Sequence, residues 1–94
     1  MAFDIDREYL EKLWKKQRGL CSVSGVKLQV ISGSREEKNP YIASLDRINN
    51  EKGYVKGNVR FVCHWINNAK STFDNKVLYE FVSAIAQKQI IRNK

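Results

Sequence analysis

The chain has 94 residues, which leaves room for one domain with a single small core and excludes a second. Hydrophobic residues make up 43% and charged residues 29%, a globular composition that excludes a disordered tail or a disulfide scaffold. Seventeen Lys and Arg against ten Asp and Glu give a net charge of +7, which points to a polyanion partner, nucleic acid first, with a merely soluble basic surface as the plainer alternative.

In chain order, Leu10, Leu13 and Trp14, with Tyr9 beside them, recur at helical spacing between Asp4 and Gln17. Asp4 or Asp6 can cap this amphipathic helix and Gly19 can end it. From Leu20 to Ile31 the apolar residues Val26, Leu28 and Val30 alternate around Ser24-Gly25, which predicts a short irregular hairpin. Ser32 to Pro40 holds turn formers and the only proline, and reads as a loop. A strand over Tyr41–Ile48, a polar loop NNEKGYVKG and a second strand over Asn58–Val62 follow. Cys63–Ser71 then reads as a helix. The last element, Asp74–Gln89, places Val77, Leu78, Phe81, Val82 and Ile85 on one face, which predicts a buried closing helix. The outline is α+β.

No segment approaches the roughly 18 apolar residues of a membrane span, and the acidic start lacks the order of a signal peptide, so no membrane partner is expected. Two cysteines, Cys21 and Cys63, would stay thiols in a reducing compartment and cannot alone complete a four-ligand zinc site. His64 is the only histidine, which leaves acid/base and metal constellations thin.

The stretch Ala43–Lys70 carries the chemistry. Asp46 falls at the end of one strand and Asn67 on the helix after the next, so closure of the hairpin can bring both to one point. Two oxygen ligands, with water and phosphate filling the other positions, commonly hold Mg²⁺ in phosphoryl-transfer sites. The plainer reading of Asp46 is a turn or cap residue.

The string SLDRINNEKGYVKGNVRFVCHWINNAK resembles the HNH endonucleases of the His-Me finger, or ββα-metal, superfamily. It is closest to phage and bacterial members reading S-L-D-R-I-(D/N)…K-G-Y-x-x-G-N-V…V-C…N-x-x-K. Upstream, Gln17-x-Gly19-x-Cys21-x-x-Ser24-Gly25 is similar to the lead-in of the same group. The resemblance implies one HNH-like domain over residues 1–94, with a small ββα-metal core at 43–70 and flanking N- and C-terminal helices.

It further implies a divalent-metal-dependent DNA endonuclease, with a nicking activity expected of a single site. Asp46 and Asn67 would hold one Mg²⁺ or Mn²⁺. Asn68 is the alternative to Asn67, but the spacing from Cys63 and to Lys70 favours Asn67. Asn58 would fix the loop through backbone hydrogen bonds, and Lys70 would face the phosphate backbone. The general base of the family is a histidine at the position of Arg47, and a guanidinium with a pKa above about 12 is no base, although it can clamp a phosphate. Ser44 removes a further imidazole. His64 could lie near the metal or be a surface residue one position off the ligand register, and Tyr54 is a packing residue that could reach the phosphate.

Lys52, Lys56, Arg60 and Lys70 surround the motif and are the expected DNA contacts, with Lys15, Lys16 and Arg18 a second basic cluster. Relatives with structural zinc carry two Cys-x-x-Cys pairs. Ser24 and Ile66 stand at two of those positions here, so no structural zinc is expected, and Trp14, Phe61, Trp65 and Phe81 are the expected replacement core. The alternatives are a catalytically silent DNA-binding module of HNH fold or an accessory subunit of a phage packaging nuclease. Expected partners are DNA and either a second copy or phage packaging proteins, in the cytoplasm of a bacterium or of a phage's host.

Overall fold

A computed structural model describes residues 3–30 and 39–92. The element order is β1 (Phe3–Asp4), α1 (Arg7–Gln17), β2 (Ala43–Arg47), β3 (Tyr54–Val55), β4 (Val59–Cys63), α2 (His64–Lys70) and α3 (Asn75–Arg92). The chain is thus α+β, and among the described residues no helix is long and apolar enough to cross a membrane.

Asp6 caps α1: its backbone is extended and its carboxylate accepts the Tyr9 N–H at 2.8 Å, a contact worth about 1 kcal/mol. The helix ends on two left-handed residues, Arg18 (φ 58°) and Gly19 (φ 67°). A side chain at Gly19 would strain that backbone and press to 3.3 Å from the Trp14 ring, so glycine suits the site twice over. Trp14 meets Phe61 edge to face, with ring centroids 5.3 Å apart.

β2 and β4 pair antiparallel, with Ser44 opposite Val62, Asp46 opposite Arg60 and Arg47 opposite Val59. The outer edge of β4 is closed by a side chain: Gln17 accepts the Phe61 N–H at 2.9 Å and donates to the Phe61 carbonyl at 2.9 Å. Ser22 N–H donates to the same carbonyl at 3.0 Å. An edge that would otherwise expose unpaired backbone groups is thereby satisfied.

α2 follows β4 without a break. In place of a side-chain cap, its first amides donate to backbone just before β2, His64 N–H to the Ile42 carbonyl (2.8 Å) and Trp65 N–H to the Pro40 carbonyl (3.2 Å). These bonds lock α2 across the hairpin. A parallel pairing of β1 with β3, Phe3 beside Tyr54, ties the N-terminus to the loop between the strands. No alternating pattern in two-residue strands announces that contact.

The core is small: Cys21, Leu28, Val62, Cys63, Ile66 and Leu78, with Trp14, Val23, Ala43 and Phe61 packed on it. Two expectations are corrected here. Trp65 (54% exposed) and Phe81 (67%) are outside the core, because α2 turns its Ile66 and Lys70 side inward and α3 runs on past the body. α3 is not a buried closing helix: Leu78 is buried, whereas Phe81, Val82 and Ile85 are exposed. The segment after α1 is the expected short irregular hairpin around Ser24-Gly25, closed by an antiparallel bridge of Leu20 with Lys27 and by Cys21 N–H to the Val26 carbonyl at 2.8 Å, while Gln29 bridges to Ile42; of Val26, Leu28 and Val30 only Leu28 is buried. Ile31 and most of the expected Ser32–Pro40 loop lie outside the described residues.

Candidate functional site

Side chains of β2 alternate between faces, so Ser44 and Asp46 share one face and Arg47 takes the other. On α2, Asn67 and Lys70 are three residues apart and share a face. Packing the helix on the strand makes two rungs. Asn67 Nδ2 donates to Ser44 Oγ at 2.6 Å, and Lys70 Nζ donates to Asp46 Oδ1 at 3.0 Å and Oδ2 at 3.2 Å. Lys70 also donates to the Arg47 carbonyl. From the opposite strand, Arg60 Nε donates to Asp46 Oδ2 at 2.9 Å and its Nη2 to Asn75 Oδ1 at 2.6 Å.

Asp46 is only 4% exposed, and the side chains of Lys70 and Arg60 are 0% and 11% exposed. Such a triad contributes little net stability compared with apolar packing, yet removing one member strands the rest. Two cations face one carboxylate, so the cluster carries one unit of excess positive charge. Lys70 and Arg60, the expected DNA contacts, are charge partners of Asp46, Lys70 fully buried and Arg60 partly so. Asp46 lies in the interior.

Asn58 is buried at the start of β4. Its Oδ1 accepts the Asn49 N–H at 2.9 Å, and its Nδ2 donates to the Asn49 carbonyl at 3.1 Å and the Gly53 carbonyl at 2.8 Å. One amide therefore shapes the whole 49–58 loop. Arg47 packs over the Tyr54 ring, its guanidinium carbon 5.4 Å from the centroid, and donates to the Asn50 carbonyl at 3.0 Å. Its side chain serves the loop, on the face of β2 away from Asp46. His64 is exposed and its Nε2 meets Asn68 Nδ2 at 3.1 Å, one turn along the surface of α2. Lys52, Lys56, Lys15, Lys16 and Arg18 are exposed.

Two amides escaped sequence reasoning. Asn75 holds Arg60 and also donates to the Ile48 carbonyl at 3.1 Å, while Asn50 donates to the Thr72 and Phe73 carbonyls at 2.8 and 2.9 Å. Together they fasten the end of β2 to the α2–α3 junction. The density of asparagines around Ile48 and Phe73 was the only available signal, since amide pairing has no sequence period.

Cys21, Ser24, Cys63 and Ile66 come together. Cys21, Cys63 and Ile66 share the core cluster, and Ser24 Oγ lies 3.8 Å from Cys63 Sγ. Burial pushes the Cys21 thiol up, but hydrogen bonds from Ser24 and the backbone outweigh it and leave Cys21 lowered from 9.0 to about 7. Burial, followed by the adjacent Cys21, drives Cys63 the other way, above its ordinary value.

No protein-family model, no curated protein and no solved structure matches this chain.

Proposed function

We propose that the protein is a divalent-metal-dependent nuclease that hydrolyses DNA phosphodiester bonds at the junction of β2 and α2. The observation that carries this reading is the strand–helix interface, where Ser44, Asp46, Asn67 and Lys70 of the resembling motif meet while Asn58 sets the intervening loop. Asp46 and Asn67 supply oxygens of the type Mg²⁺ or Mn²⁺ takes. Asn67 commits its nitrogen to Ser44, which leaves its oxygen as the ligating atom. Both Asp46 oxygens accept from Lys70 and Arg60, so the carboxylate would hold such an ion only with one of these contacts released.

Such an ion, when bound, offsets charge on the phosphate and on the leaving oxygen. The chain's own contribution is electrostatic: a Lys70 freed from Asp46, together with Arg60, binds phosphate oxygens in a site with little water. The exposed Lys52, Lys56, Lys15 and Lys16 would draw in the DNA backbone. Recognition rests on phosphate and groove shape, because a chain this short has few elements to spare for base edges.

A second reading has its own observation. A DNA-binding module without cleavage fits a carboxylate tied down by two cations and an Arg47 that cannot act as a base. Incubation of supercoiled plasmid with Mg²⁺ or Mn²⁺, with and without EDTA, separates the two. The nuclease yields open circles only with metal; binding that weakens steeply with salt and never cuts supports the module. Asn67→Ala is the cleaner active-site variant, since Asp46→Ala also disturbs the interior; full cleavage by Asn67→Ala would overturn the nuclease reading. Arg47→Ala is expected to cost about 10²-fold in cleavage if the guanidinium reaches the phosphate, and nothing if it serves only the loop. Two thiols, one hydroxyl and one alkyl group do not make a tetrahedral zinc site, so elemental analysis is expected to find zinc well below one per chain.

A further inference from the structure

Cys21 and Cys63 take no part in the reading above. They are 42 positions apart in sequence, yet Cys63 N–H donates to Cys21 Sγ at 3.4 Å. A backbone bond from Ser22 to Phe61 clamps the two segments one residue away. Both thiols are free and buried. Ser24 touches both, its N–H 3.4 Å from Cys21 Sγ and its hydroxyl 3.8 Å from Cys63 Sγ. Cys63 is not sealed off. An open cavity of about 380 Å³ is lined by Ser24 and Cys63, with Tyr41 and Trp65 on its walls.

We propose that Cys21 and Cys63 are a thiol pair that a small peroxide converts into an intramolecular disulfide. Buried cysteines are ordinarily inert. Here two N–H donors converge on the Cys21 sulfur; the Ser24 side chain first, and these backbone donors after it, lower its pKa to about 7, which puts a substantial fraction in the reactive thiolate form at neutral pH. The cavity brings peroxide to the Cys63 side of the pair, next to the Cys21 sulfur. The Cys21 thiolate attacks one peroxide oxygen, the O–O bond breaks, and the departing hydroxide leaves as water, giving a sulfenic acid at Cys21. Cys63 then gives up its proton and its sulfur attacks the sulfenyl sulfur. The S–O bond breaks and a second water leaves. Two thiols and one peroxide thus become one disulfide and two waters. The bond would tie the segment after α1 to the first residue before α2, the helix that carries Asn67 and Lys70.

The test uses the full chain at low concentration, treated with hydrogen peroxide, quenched by alkylation and digested with trypsin without reductant. The expected product joins the peptides Gly19–Lys27 and Phe61–Lys70, the free-thiol count falls from two to none, and dithiothreitol restores both. In Cys63→Ser, oxidation is expected to stop at a Cys21 sulfenic acid that dimedone traps. If that variant does not fold, the wild-type peptide map decides alone. Two thiols still open to alkylation after peroxide, sulfinic acid without a cross-link, or disulfides only between molecules would each overturn the proposal.

Discussion

α2 and α3 stand side by side and are built on opposite terms. α2 has 7 residues, too few to be stable alone, and buries Ile66 and the whole of Lys70. α3 has 18 residues, and among those whose burial is described only Leu78 is buried. The short helix owes its existence to what surrounds it: backbone acceptors for its first amides, a carboxylate for its lysine and a cysteine-rich core under Ile66. The long helix has an apolar stripe of its own, but the body of the protein ends after its first turn. An apolar pattern says which face of a helix can be buried; the neighbouring elements decide whether it is.

The largest effect should come from the charge that α2 buries. Asp46→Asn keeps the shape but leaves Lys70 and Arg60 without a counter-charge. It is expected to cost about 3–5 kcal/mol in urea unfolding. Adding Lys70→Met should recover a substantial part, and the shortfall from additivity measures the coupling. If Asp46→Asn unfolds like wild type, the triad is open to water and the contrast between the helices is weaker than drawn. Next is Leu78→Ala, the one buried side chain of α3 among those whose burial is described, expected to cost about 3 kcal/mol. A smaller loss would mean that α3 is held by something other than this contact.

Asn58→Ala should cost about 2 kcal/mol, since it strands the Asn49 N–H and two carbonyls of the loop. Its further signature is local: faster hydrogen exchange over residues 49–58 while α3 is unchanged. Uniform loosening of the whole chain would assign Asn58 to global stability and not to the loop.

Much of this arrangement was legible in the sequence. The paired strands, both flanking helices and α2 fall within a few residues of their expected places, because period-2 and period-3.6 patterns report the local element directly. The polar interface was only half legible. The spacing of Asp46, Asn67 and Lys70 put them near one another, but not which pairs with which. That depends on the register of helix on strand, which sets Asn67 against Ser44 and Lys70 against Asp46. Burial of Lys70 was illegible, since a lysine in a basic chain reads as surface until its partner is known. The fate of α3 was illegible for the same kind of reason: its stripe over Leu78, Phe81, Val82 and Ile85 is a regular one, and no local pattern encodes where the rest of the body stops.

The smallest expected effect makes the sharpest test of that last point. Phe81 and Ile85 are 67% and 58% exposed. Ser lies close to Phe and Ile in helix propensity, so Phe81→Ser with Ile85→Ser changes burial and little else. If these side chains face water, the double variant should unfold within about 0.5 kcal/mol of wild type, as surface changes do. A loss above about 1 kcal/mol would mean that the stripe is covered in solution. If the cover is a second copy, the loss should appear only at high protein concentration, because stability borrowed from a partner follows mass action. Sedimentation across the same concentrations would then show wild type associating and the variant staying monomeric. A loss independent of concentration would place the cover within the chain itself, and α3 would have to fold back onto the body.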